Sequence, residues 1–240
     1  MIDASTFAAA YHAFWNSHTP TCEHFVRRLN VGGLRRFAPP MNPHKNSKRR
    51  AIIAEYAFSL FVTGSPQVLN QDNLAETDIV AVKREAWRAT ESRLAAFVGQ
   101  GVELVPTFSR DENEEIDNLT IRLHRFFQHT TPPLVLRPIF KGCGYLDSSE
   151  ADVIAHDTLY EIKTVDRQVR SADIRQIITY AALNFASHQY DLSKIGLFNP
   201  LGGYYFHFDV EFVCAEIAGT SAQELFMTII DAVSSAAMSR

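Results

Sequence analysis

Asp152, Glu161 and Lys163 are the residues of this chain whose types and spacing point most directly to chemistry. They lie in EADVIAHDTLYEIKTV, residues 150–165. Ala151 to Ala155 reads as a short strand and Thr158 to Val165 as a second, rich in β-branched and aromatic residues. His156-Asp157 is a two-residue hairpin loop, and loop length fixes register. Ala155 then faces Thr158, and Asp152 faces Glu161 with Cβ atoms about 4.5–5.5 Å apart. Like charges so opposed destabilise a sheet. A divalent cation between them removes the conflict, since hard ions such as Mg²⁺ take carboxylate oxygens. Lys163, two residues beyond Glu161, projects from the same face. The hairpin alone leaves a plainer account open, with both acids solvated and Lys163 paired across the strands with Glu150. A one-residue slip would send the two acids to opposite faces.

The elements around the hairpin must hold this geometry. Thr131-Pro132-Pro133 breaks the chain, Leu134 to Phe140 reads as the first core strand, and Lys141 to Tyr145 as a turn or bulge. After the hairpin, Ser171 is placed to cap a helix to about Ala186, with Asp173 in its first turn. Ile174, Ile177, Ile178, Ala181 and Phe185 form its buried stripe, while Gln176 and Tyr180, four apart, share another face. Lys194 to Phe198 is a strand, and the alternation from Tyr204 to Phe212 predicts another, with His207 on its wet side. Ser221-x-x-Glu224 opens a final helix over 220–238.

A strand bearing Asp152, then Glu161-Ile162-Lys163 on the next strand, then a helix with Gln176 and Tyr180, resembles the PD-(D/E)XK nuclease superfamily. The Gln-x-x-x-Tyr element resembles its RecB/Cas4-like branch. The resemblance covers roughly residues 134–213, and Ala151 stands where the motif's name has proline. It implies an α/β fold, a restriction-endonuclease-like mixed β-sheet flanked by helices. It also implies Asp152, Glu161 and the Ile162 carbonyl as ligands of Mg²⁺, with Mn²⁺ as a substitute. Lys163 matches the catalytic lysine, and Gln176 and Tyr180 the fourth motif, which positions the strand. A third acid on a helix before the sheet would be Glu55, with Glu85 as the fallback. The implied activity is hydrolysis of phosphodiester bonds by an endonuclease, in DNA with RNA still open, in phage defence or mobile-element biology. A helicase, ATPase or sensor subunit, or a second copy of the chain, is the implied partner. The alternative is a catalytically silent nuclease fold that binds nucleic acid or a partner protein.

Elsewhere the sequence is less specific. The 240 residues are 46% hydrophobic, enough for a full core, and carry a net charge of −4. That acidity conceals a local excess of positive charge. Arg27, Arg28, Arg35, Arg36, Lys45, Lys48, Arg49 and Arg50 fall between His24 and Ala54, where no acidic residue occurs. Gly32-Gly33 and the prolines from Pro39 to Pro43 mark the stretch as largely loop, suited to phosphate contacts. Phe7, Tyr11, Phe14 and Trp15 make an apolar stripe at helical spacing, read as core or a subunit contact. Further helices are predicted over 47–62, ended by Gly64-Ser65-Pro66, and over 76–98 and 112–128. The predicted division is a helical and basic elaboration over 1–130, including a possible first core helix at 47–62, and a nuclease core over 131–240. Three scattered cysteines, no apolar run long enough for a membrane span and no secretory start suggest a cytoplasmic protein.

Overall fold

The computed structural model describes residues 1–43, 47–68, 76–95 and 105–235. Its N-terminal elements are α1 (Ala4–Ala10), α2 (His12–His18), α3 (Cys22–Arg28) and β1 (Arg35–Arg36). Three longer helices follow, α4 (Ser47–Val68), α5 (Glu76–Leu94) and α6 (Arg110–Phe127). The chain continues with β2 (Leu134–Leu136), β3 (Ile139–Phe140), β4 (Ser149–Glu150), β5 (Val153–Ala155) and β6 (Thr158–Ile162). It closes with α7 (Ser171–Ser187), β7 (Lys194–Asn199), β8 (Tyr204–Asp209), α8 (Val210–Ala218) and α9 (Ala222–Ser234).

These elements form two compact units. Met1–Pro39, Thr130–Asn199 and Gly203–Arg240 make the first, and Pro40–His129 with Pro200–Gly202 the second. In the first, six strands form a mixed sheet ordered β1-β8-β7-β6-β5-β2. β6 and β7 run parallel, whereas the other neighbours are antiparallel. Parallel neighbours need a crossover, and α7 provides it. Leu159, Ile195, Leu197 and Phe206 bury the sheet's α7 side together with Ile174, Ile177 and Ile178. Glu161 stands in the row of Leu197 and Phe206, so its carboxylate projects towards this apolar side.

A boundary does fall near residue 130, between His129 and Thr130, but Met1–Pro39 belongs with the sheet unit rather than with the helical elaboration. Phe7, Tyr11, Trp15 and Phe25 are buried in the core of the sheet unit, α1 packs on α7, and the Trp15 Nε1–H donates to the Phe7 carbonyl at 2.9 Å. The aromatic stripe is therefore core. The helix itself breaks at Tyr11, between α1 and α2.

Four other expectations change. The predicted strand 134–140 is split at Arg137-Pro138: β2 pairs with β5, but β3 pairs with β4 in a separate two-stranded sheet. Pro138 has no N–H to offer a ladder, and Arg137 takes a φ of 54°. The strand from Tyr204 ends at Asp209 rather than Phe212. Val210, Val213, Cys214 and Ile217 also satisfy a helical period, and burying them in α8 wins. The basic stretch is only partly loop, since α3, a π-helical turn (Leu29–Gly33) and β1 occupy much of it. α4 passes through Gly64-Ser65-Pro66 to Val68, a proline near a helix end removing a single intrahelical bond.

The second unit is built on α4, α5 and α6, around Ile53, Leu60, Ala86, Ile116 and Leu119. Ser109 and Glu112 form a capping box at the start of α6, and the Arg49 Nε–H donates to Glu112 Oε1 at 2.6 Å. Among the described residues, no helix is long and apolar enough to cross a membrane.

Candidate active site

The hairpin turn is at His156-Asp157, with His156 at φ 56°, a region histidine enters more readily than most residues. Asp157 accepts hydrogen bonds from the Ser193 hydroxyl, from Lys194 Nζ at 2.8 Å and from the Thr158 hydroxyl at 3.1 Å. These partners hold its carboxyl below the usual range. The turn is thus fixed from its neighbours, without an Asn-Gly pair.

The observed register is Ala155–Thr158, Ile154–Leu159 and Val153–Tyr160. One further step brings Asp152 to Glu161, but the backbone ladder stops there. The Asp152 Oδ2 accepts the Ile162 N–H at 2.6 Å, so a carboxylate takes the place of a strand carbonyl. The Asp152 backbone carbonyl accepts the Arg137 N–H at 2.8 Å.

On the α7 side, Lys163 Nζ lies 2.8 Å from Glu161 Oε1 and donates to Gln176 Oε1 at 2.8 Å. Gln176 Nε2–H donates in turn to the Tyr180 hydroxyl at 2.9 Å. One turn of α7 separates Gln176 from Tyr180, which lets a single chain of contacts run Glu161–Lys163–Gln176–Tyr180. Lys163 therefore pairs with Glu161; Glu150 binds Arg137 Nη1 at 3.3 Å instead.

Burial governs the protonation of this group. It pushes the Asp152 carboxyl well above the carboxylate range, and the neighbouring Glu161 charge adds to the effect against the Ile162 N–H, Lys163 and Arg137. Burial works against the Lys163 ammonium, yet Glu161 outweighs it and holds that pKa above the ordinary lysine value. Burial, then the Glu161 charge, keeps the Tyr180 hydroxyl protonated.

Two supporting residues escaped the sequence reading. Arg137 faces Glu150 and bears electrostatically on Asp152; an Arg-Pro step inside an apolar run was its only signal. Arg167 grips Asp173 in a bidentate pair, Nη1 to Oδ2 at 2.7 Å and Nη2 to Oδ1 at 2.9 Å. Asp173 also accepts the Arg170 N–H at 2.9 Å, fixing the start of the helix that carries Gln176. The N-cap of α7 is Arg170, one residue before the predicted Ser171.

Burial raises the Asp173 pKa, but Arg167 and the Arg170 N–H outweigh it and the net shift is downward. A lowered folded-state pKa gives stability that is present above the unfolded value and lost as pH falls through the folded one. Asp173→Asn should therefore cost about 1.5–3 kcal/mol in urea unfolding at pH 7, the difference shrinking below about pH 4. A penalty unchanged at pH 3 would contradict this assignment.

Compared with protein-family models, curated proteins and solved structures, the chain matches none.

Asp152, Glu161, Lys163, Gln176 and Tyr180 lie together in the sheet unit, and the Ile162 carbonyl follows Glu161 in the chain. Two carboxylates and a carbonyl are hard oxygen donors, and the raised pKa of Asp152 marks a charge its surroundings oppose. This donor set fits Mg²⁺ or Mn²⁺. Among the described residues, no three His, Cys, Asp or Glu side chains gather as a metal cluster. Glu55 belongs to the second unit, where Ser59 Oγ donates to it at 3.3 Å and Arg93 Nε lies at 3.8 Å. Glu85 is exposed beside Arg88 at 3.6 Å.

The basic residues divide between the units. Arg27, Arg28, Arg35 and Arg36 belong to the first, Arg49 and Arg50 to the second. Lys45 and the side chain of Lys48 lie outside the described residues. Arg28 binds Glu216 at 2.7 Å and Arg49 binds Glu112, while Arg27 and Arg35 are exposed. The cysteines stay outside this chemistry: burial pushes the Cys22 thiol up to about 11 and Cys214 up to about 12. Cys143 contacts the Ser234 hydroxyl.

Proposed function

We propose that this chain is a metal-dependent nuclease with the restriction-endonuclease-like arrangement, hydrolysing phosphodiester bonds, in DNA first. The observation that carries the reading is the Lys163 ammonium, held between Glu161 and Gln176 in the sheet unit that also holds Asp152. Asp152, Glu161 and the Ile162 carbonyl would hold the cation. When bound, Mg²⁺ or Mn²⁺ supplies a nucleophile at neutral pH and neutralises charge on the phosphate.

The chain's own residues do the rest. Lys163 donates to the attacking water or to the phosphate oxygens as they gain charge, a role that needs a fixed ammonium. Gln176 fixes it, accepting from Lys163 and donating to Tyr180. Tyr180, kept protonated, braces Gln176 without competing for its carbonyl. The exposed Arg27 and Arg35 suit phosphate contacts in the same unit.

A second reading, a nuclease fold that holds nucleic acid without cutting, has one observation in its favour. Two of the three Lys163 N–H donors already go to Glu161 and Gln176, so most of its capacity is spent inside the protein. The two readings separate when purified protein meets circular DNA, linear DNA and RNA with Mg²⁺ or Mn²⁺. Nicking of circular DNA is the expected result; digestion of linear DNA alone would make it an exonuclease. A protein that cuts nothing under either ion would leave the binding reading.

A further inference from the structure

We propose that the helical unit binds a nucleotide in a cleft of its own, its base against Trp87 and its phosphate on Lys83 and Arg84. The cleft has a volume of about 380 Å³, within the usual range for small-molecule sites. Its aromatic wall is ordered. The Tyr56 and Phe108 rings stack at 5.3 Å and 6°, and Trp87 meets them edge-on at 5.6 and 5.8 Å.

Tyr56 is buried and belongs to the core of the unit, but Trp87 and Phe108 are only partly buried and line the open space. An aromatic wall alone would be ordinary packing. What distinguishes this one is its rim: Lys83 and Arg84 are exposed, and neither makes an ion pair among the described residues. Stacking surface beside two exposed cations is the chemistry that holds a base and its phosphate.

The lining also offers acceptors. Asn113 Nδ2–H donates to the carbonyls of Phe108 and Ser109 at 3.0 and 2.9 Å, leaving its amide oxygen for a ligand. Asp117 adds a carboxylate. Bases carrying an exocyclic amino group should therefore bind better than thymine. No residue of the Asp152–Lys163 group takes part, so this site stands or falls apart from the hydrolytic reading.

Tryptophan fluorescence of the full chain in EDTA tests it. The chain has two tryptophans, and Trp15 is fully buried in the other unit, so quenching reports Trp87. The probes are dAMP, dTMP, a 5′-phosphorylated deoxyadenosine octamer and inorganic phosphate. Saturable quenching is expected with dAMP below dTMP in concentration if free nucleotides are the ligand, or with the octamer alone if a strand is. By anisotropy of the labelled octamer or by competition, Trp87→Ala should weaken binding roughly 5- to 100-fold. The Lys83→Ala/Arg84→Ala double variant should weaken it and flatten its salt dependence. Quenching by none of the nucleotides, equal quenching by phosphate alone, or unchanged affinity in the double variant would overturn the proposal.

Discussion

Replacing Lys163 with methionine should lower Mg²⁺-dependent cleavage of DNA by about 10²–10³-fold, the scale of losing one positioned charge-stabilising donor. Affinity for DNA in EDTA should stay within about threefold of wild type, because the arginines proposed to contact phosphate are untouched. Methionine keeps the length of the side chain and removes the ammonium. It also leaves the 5%-exposed Glu161 without its counter-charge. Breaking a buried pair on one side costs about 3–5 kcal/mol, so melting curves belong beside the kinetics. A folded variant that cuts at the wild-type rate would remove Lys163 from the chemistry. A binding loss as large as the cleavage loss would make it a contact residue instead.

Asp152→Asn should move stability and activity in opposite directions. In the metal-free protein this carboxylate is opposed by burial and by Glu161, and its main compensation is the Ile162 N–H at 2.6 Å. Asparagine keeps an oxygen to accept that bond and removes the charge. The metal-free variant should be more stable than wild type by about 1–3 kcal/mol in urea. It should also lose both cleavage and the rise in melting temperature that the proposed Mg²⁺ or Mn²⁺ site should give the wild type. A destabilised variant would mean that the ionised carboxylate supports the fold, and the case for a strained metal-binding pair would fail.

The two acids were legible in the sequence because a two-residue loop leaves little freedom: Ala155–Thr158 fixes every later pair. Gln176 and Tyr180 were legible because one helical turn joins them. Arg137 was not, since it acts through a break at Pro138 that a run of apolar residues concealed. Nor was the membership of the N-terminal helices in the sheet unit, because α1 packs on a helix about 160 residues later in the chain. Tyr56, Trp87 and Phe108 come from three separated segments, and no local period could have joined them. At the end of β8, two periods were present at once. Alternation runs through Phe212, while Val210, Val213, Cys214 and Ile217 carry the helical one, and packing decides between them.

The most direct test of the shared-cation claim is anomalous diffraction from crystals of the full chain grown with Mn²⁺. The account predicts a manganese peak about 2.1 Å from carboxylate oxygens of both Asp152 and Glu161, with Lys163 Nζ nearby but not ligating. Manganese found only elsewhere on the molecule, or bound to one of the two acids with the other turned away, would contradict it.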